Sequence, residues 1–126
     1  MEYRSFTKLE VYLECRIFRR MVSDTVRQHF PKEEKFLLCA QILDSSRSIT
    51  ANLAEGHGRF YYQDSIKFCR YSRGSLEETL EHLITAFDEK YIAEEILKTH
   101  KIKYDTCLKL INGYIRYLDK SKRGEE

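Results

Sequence analysis

The chain carries a single proline, Pro31, and five glycines in 126 residues. So few backbone breakers leave room for a few long helices and little for many short strands. Apolar spacing says the same. Val11, Cys15, Phe18 and Val22 step by four, three and four, with Leu13, Ile17 and Met21 alongside. That is the stripe of a helix with one buried face. Phe30-Pro31 ends the stretch, because a residue before proline avoids helical angles.

Four helices are predicted, over about 7–29, 32–56, 63–89 and 93–120. Thr7 is placed to cap the first. Lys32-Glu33-Glu34 puts acids in the first turn of the second, where the helix dipole favours them. Gly56 and Gly58 supply its stop. The third carries Cys69, Leu76, Leu80, Leu83 and Phe87 on one face. Gly74-Ser75 interrupts it. An internal glycine costs about 1 kcal/mol relative to alanine, so another backbone is predicted to approach closely there. Tyr91-Ile92 belongs to the following turn.

In the fourth helix Tyr104, Leu108, Ile111, Ile115 and Leu118 form one seam, and Cys107, Leu110, Tyr114 and Tyr117 a second. Together they span an arc of about 180°, wider than one core-facing helix requires. Either the arc packs on two neighbours within the chain, or its surplus is a subunit interface, for which tyrosine is suited. The second reading is preferred, and with it an oligomer. Short connections near residues 30, 58 and 91 make successive helices antiparallel. The expectation is an all-α, up-and-down antiparallel four-helix bundle in a single domain, 1–126, with a fraying tail at Ser121–Glu126.

At 42% hydrophobic and 33% charged residues the chain is globular and long enough to bury a core without staples. Cys15, Cys39, Cys69 and Cys107 are far apart, with no Cys-x-x-Cys, each in its own helical segment. Buried, reduced thiols of a cytoplasmic protein are expected, not a zinc site or a disulfide framework. Met1–Arg4 is too polar to open a signal peptide, and no apolar run approaches the roughly 20 residues of a membrane span. The formal charge of +2 does not by itself demand nucleic acid as a partner. Its distribution says more. Residues 76–95 hold seven acids against Lys90, a net −6, and residues 96–123 hold eight bases against Asp105 and Asp119, a net +6. Segregation of this kind creates local fields that the total conceals, although ordinary solvated helix faces look the same.

Within the second helix Ser45, Ser48/Ile49, Asn52 and Gly56 continue the apolar stripe of Leu38 and Ile42. Polar groups that face inward must find partners, since an unpaired one costs about 1–3 kcal/mol. This helix is predicted to pack closely on a neighbour that supplies hydrogen bonds.

Four blocks occur in order: Phe6-Thr7-Lys8-Leu9-Glu10-Val11-Tyr12, Phe30-Pro31-Lys32-Glu33-Glu34, Ser48-Ile49-Thr50-Ala51-Asn52-Leu53-Ala54-Glu55-Gly56 and Arg73-Gly74-Ser75-Leu76-Glu77-Glu78. Together they resemble the bacterial four helix bundle protein family, whose founding members are encoded in intervening sequences of large-subunit ribosomal RNA genes. The resemblance covers nearly the whole chain and implies a bundle that assembles into a ring-like homopentamer. A related group, the accessory variability determinants of diversity-generating retroelements, forms similar pentamers. These bind nucleic acid and a reverse transcriptase, so RNA or DNA and a reverse transcriptase or other nucleoprotein are the implied partners. Two departures matter. Tyr12 stands where the family usually has tryptophan. Gln41-Ile42 is followed by Leu43-Asp44, where members often carry a basic pair. Loss of that pair weakens the nucleic-acid reading, and Arg47, one turn on, can restore a positive charge.

The resemblance pairs Ser48, Asn52 and Glu55 with Gly74-Ser75 and Glu78 of the third helix. The expectation is a buried polar network that fixes helix register. A catalytic pair, Glu55 with Glu78, is the alternative, but it lacks an accompanying nucleophile or metal set. Glu78 and His82 stand at i, i+4, not at the i, i+3 of di-iron bundles, and His57 and His100 lie near helix ends. Gly56-His57-Gly58 follows a helix, whereas phosphate loops follow a strand and open a helix. No enzymatic activity, cofactor or metal is expected.

Residues 57–73 hold Arg59, Lys67, Arg70 and Arg73 against Asp64, a net +3, interleaved with Phe60, Tyr61, Tyr62 and Tyr71. Helix one adds Arg16, Arg19, Arg20 and Arg27. Helix four adds Lys98, Lys101, Lys109, Arg116, Lys120, Lys122 and Arg123. Rings can stack on bases while cations meet phosphate, and repetition around an oligomer adds avidity. Arg16, Arg19, Arg20, Arg59, Lys67, Arg70, Arg73 and Arg116 are the candidate nucleic-acid contacts. The competing function is a structural module that docks another protein through the apolar surplus and the acidic 76–95 segment.

Overall fold

The structure, a computed structural model, describes residues 5–125, with side chains described as far as Ser121. These residues form four helices and no strand: α1 (Glu10–His29), α2 (Leu38–His57), α3 (Tyr62–Asp88) and α4 (Glu94–Glu125). α1 and α3 each pack on both α2 and α4. Side-chain bonds across the seams give the directions. Ser45 meets Thr79 while Ile49 meets Ser72, and Arg73 meets Asn112 while Glu77 meets Tyr104. Thr25 meets His100 while Glu14 meets Cys107. Neighbours in these three seams run antiparallel, the arrangement of a four-helix bundle.

The apolar stripes meet in the middle. Phe18, Val22, Ile42, Ile49, Leu76, Leu83 and Ile111 are wholly enclosed, and burying each contributes about 1.5–3 kcal/mol. Cys15, Cys69 and Cys107 share this core, and all four cysteines are free thiols. Burial pushes the Cys69 thiol up to about 11, and a hydrogen bond with Cys107 together with burial raises that of Cys15. Among the described residues no helix is long and apolar enough to cross a membrane.

Several boundaries depart from expectation. Ser5, not Thr7, caps the entry: its Oγ accepts from the Thr7 amide at 3.2 Å over a 3-10 turn at Phe6–Lys8. Leu9 is then extended, and α1 starts at Glu10. α2 starts at Leu38 rather than near 32, because Lys32–Glu34 forms a separate 3-10 turn and Leu37 sits at φ −118°, ψ −104°. Glu34 accepts from the Leu38 amide at 3.3 Å and from the Tyr91 hydroxyl at 2.8 Å. One carboxylate therefore caps α2 and ties it to the α3–α4 turn. That turn places Lys90 at φ 66°, with its amide donating to Phe87 O and the Tyr91 amide to Ala86 O, both at 2.9 Å. This is the Schellman arrangement usually built on glycine. α4 continues to Glu125 where fraying from Ser121 is expected; the helix runs on through Gly113 and Gly124, and no proline follows Pro31 to end it. Glu126 lies outside the described residues, as does Met1–Arg4.

The tightest seam is α2–α3, and small side chains make it so. Ser65, Ser72, Thr79 and Ala86 step by seven along α3 and are all buried. Gly56 is not the stop of α2 but a buried residue within it. A Cβ at this position would lie 2.9 Å from Phe68 Cβ and 3.1 Å from Ser65 O. α2 ends at His57, with Gly58 as its C-cap. Gly74, predicted to mark a close approach, is exposed, and a Cβ there would meet nothing within 4 Å.

Candidate nucleic-acid interface

The turn from α2 to α3 leaves little to bury its aromatic residues. Phe60 is 89% exposed and Tyr61 66%, their rings edge to face at 4.9 Å. Tyr61 is extended and opens α3, so the residues that follow point outward at helical spacing from a rigid element. Lys67, Arg70 and Tyr71 are exposed on that first half of α3. The Lys67 ammonium lies 5.8 Å from the Tyr71 ring centroid, and the Arg59 guanidinium 4.7 Å from that of Phe68. Arg59 also pairs with Glu55 at 2.6 Å in the open. Exposed pairs of this kind contribute little to stability and can exchange partners. The corner thus offers ring faces beside cations, the combination that binds single-stranded nucleic acid.

The remaining candidates are dispersed. Arg73 is turned away from the corner: its Nη1 donates to Asn112 Oδ1 at 2.7 Å, linking α3 to α4. Arg19 is half-buried and donates to Thr50 Oγ1 at 2.9 Å, linking α1 to α2. Arg16 and Arg20 are exposed on α1, and Arg116 on α4. Of the further bases on α4, Lys98 pairs with Glu94 and Lys101 with Asp105, while the side chains of Lys122 and Arg123 lie outside the described residues. Arg59, Lys67 and Arg70 are the cations that share the corner with its aromatic rings.

Of the five residues of the expected polar network the structure brings three together. Asn52 Nδ2 donates to Ser48 O and Ser48 Oγ, and Ser75 Oγ donates to Ser48 Oγ, all at 2.9 Å. Glu55 and Glu78 stand apart on the surface, the first with Arg59 and the second with His82 at 3.3 Å. Thr79, next to Glu78, bonds Ser45, ten residues from Glu55 along α2, or about 15 Å of helix rise. The two carboxylates do not form a pair. Deeper in the seam Ser45 and Thr79 share a 2.8 Å hydrogen bond, and Ser72 Oγ donates to Ile49 O at 2.7 Å. Ser72 and Thr79 escaped the sequence reading. Their signal was the seven-residue spacing of small polar residues on α3.

The broad apolar arc of α4 is largely consumed inside the chain. Tyr104 is buried and donates to Glu77, and the Cys107 thiol donates to Glu14 O at 3.6 Å. Tyr117 remains 63% exposed beside Tyr114, and Ile102 of α4 and Leu13 and Ile17 of α1 are also exposed. Among the described residues no group of three or more His, Cys, Asp or Glu side chains is placed to hold a metal ion.

Against known proteins, the family model for the 23S rRNA-intervening sequence protein matches residues 7–113. A crystal structure at 1.70 Å resolution of a protein with unknown function from the S23 ribosomal protein family of Bacteroides thetaiotaomicron aligns with 83% of this chain and 97% of its own, at 23% identity and a TM-score of 0.72. That likeness shows the fold alone. Among curated proteins nothing matches.

Proposed function

The chain belongs to the 23S rRNA-intervening sequence protein family, and from that membership we propose a non-enzymatic, oligomeric bundle that associates with nucleic acid, RNA foremost. The reading rests on the α2–α3 corner, where Phe60, Tyr61 and Tyr71 are exposed beside Arg59, Lys67 and Arg70. Base–aromatic stacking contributes about 1–3 kcal/mol per base. Cations at this spacing meet the phosphates that flank a stacked base. One corner binds weakly, and several copies in a homo-oligomer, a pentamer on this account, bind one strand with avidity. Exposed Leu13, Ile17 and Ile102 supply apolar area for contact between copies. The protein works in the cytoplasm with its thiols reduced, alone or with a nucleoprotein partner such as a reverse transcriptase.

Titration with single-stranded RNA over a salt series tests this. Three cations per copy give a log–log slope of about −2 through counterion release. Absence of binding at low salt removes the proposal. It leaves the second reading, a protein-docking module, for which Ile102 at 70% exposure and Ile17 at 46% are the favouring observation.

A further inference from the structure

A groove of about 450 Å³ runs between α1 and α2, away from the α2–α3 corner. Arg19, Arg20 and Arg27 reach it from α1 and Arg47 from α2. Among the described residues Asp24 is the one carboxylate on its lining, and that side chain is already paired with Arg27 at 2.9 Å. Arg19 is held in place by its bond to Thr50, while Arg20 and Arg47 are exposed and, among the described residues, ion-paired with no carboxylate. Four like charges around one acid raise the local potential, and a bound polyanion relieves it. All four are guanidinium groups, which present forked donors that match phosphate oxygens two at a time.

The groove does not end there. An adjoining groove of about 470 Å³ shares Leu43 and Arg47 with it and continues to Lys35 and Phe36, with Asp44 as its acid. The Phe36 ring is 83% exposed, with the Lys35 ammonium 5.3 Å from its centroid. A large aromatic ring left in water at the end of a cationic track is a platform for a base.

We infer that the α1–α2 groove is a phosphate-binding site that takes a chain of phosphates, either the backbone of an RNA strand or a free polyphosphate. The RNA source rests on the function proposed above; the site itself does not.

Inorganic tripolyphosphate and a single-stranded RNA oligomer are titrated separately into the wild type, Arg20→Gln/Arg47→Gln, Phe36→Ala, and Lys98→Gln/Lys101→Gln as an equal change of charge elsewhere. The wild type is expected to bind tripolyphosphate and to melt at a higher temperature in its presence. Arg20→Gln/Arg47→Gln should bind it about tenfold or more weakly, with an unchanged melting temperature in its absence, while Lys98→Gln/Lys101→Gln binds as the wild type does. If RNA is the source, the arginine variant also flattens the RNA salt slope by about 1.4 for each copy engaged on the strand, and Phe36→Ala weakens RNA but not tripolyphosphate. If free polyphosphate is the source, RNA binding is unmoved and tripolyphosphate binding is lost. No tripolyphosphate binding by the wild type at low salt, or equal binding by the arginine variant, overturns the site. RNA binding that persists in that event leaves the function standing on the corner, and tripolyphosphate binding without RNA binding removes the function and keeps the groove.

Discussion

A methyl group at Gly56 has no room. It would press on Phe68 Cβ and on the Ser65 carbonyl, both fixed in α3, so Gly56→Ala must push the two helices apart. Overpacking of this kind costs about 1–3 kcal/mol. At Gly74 the same methyl group meets nothing within 4 Å, and Gly74→Ala is expected to stabilise by about 0.5–1 kcal/mol through helix propensity. Urea melts of the two variants should therefore shift in opposite directions. The sequence contains both glycines but not the helix crossing that tells them apart. A glycine after the Asn52–Glu55 block looks like a stop, and a glycine in mid-helix looks like a contact, when the packing assigns them the other way. Lys90 was illegible for a related reason: its left-handed φ of 66° is imposed by the turn, not announced by a glycine. The phenols add a signed pH dependence. The bond to the Glu34 carboxylate pushes Tyr91 from 10 up to about 12, and burial with the Glu77 bond does the same for Tyr104. A raised folded value means their contribution is complete below pH 10 and is lost as pH climbs from 10 through 12. Denaturation midpoints measured across that range should fall, and less steeply in Tyr91→Phe.

At the level of helices, the α2–α3 pair is joined by hydroxyls rather than by charges. Ser48 Oγ receives both Asn52 and Ser75, so it is the bridge. Ser48→Ala is expected to cost about 1 kcal/mol, and a double-mutant cycle of Ser48→Ala with Ser75→Ala should return a coupling of about 0.5 kcal/mol or more. A coupling of zero removes the bridge. Asn52→Leu, tested for stability and assembly, should lower both if the network sets register. The inward polar stripe of α2 was readable because serine and asparagine interrupt an apolar period. Its partner stripe on α3 was harder to see, since Ser65, Ser72 and Thr79 lie among charged residues that mask their spacing. Helix ends were the least legible. Lys32-Glu33-Glu34 has the composition of a first helical turn, yet Leu37 breaks the backbone before Leu38 and Glu34 caps from outside.

For the whole molecule, four apolar stripes and one proline were enough to read an all-α bundle, because such stripes have few ways to bury one another. Surface function is less legible, since an arginine reads alike in sequence whether it bonds Asn112 across a seam or stands beside an exposed tyrosine. Arg73 and Arg70 differ in this way, three residues apart. Mass measurement in solution bears on the assembly, with a pentamer expected. The nucleic-acid face proposed for this bundle is the α2–α3 corner. Its most direct test compares the wild type with Tyr61→Ala/Lys67→Gln/Arg70→Gln against one single-stranded RNA, after circular dichroism has established equal helix content. Loss of one stacked base and two phosphate contacts per copy predicts binding weakened by about tenfold or more, with a salt slope flatter by about 1.4 for each copy engaged on the strand. Equal affinity and equal slope in the two proteins would rule the corner out as that face.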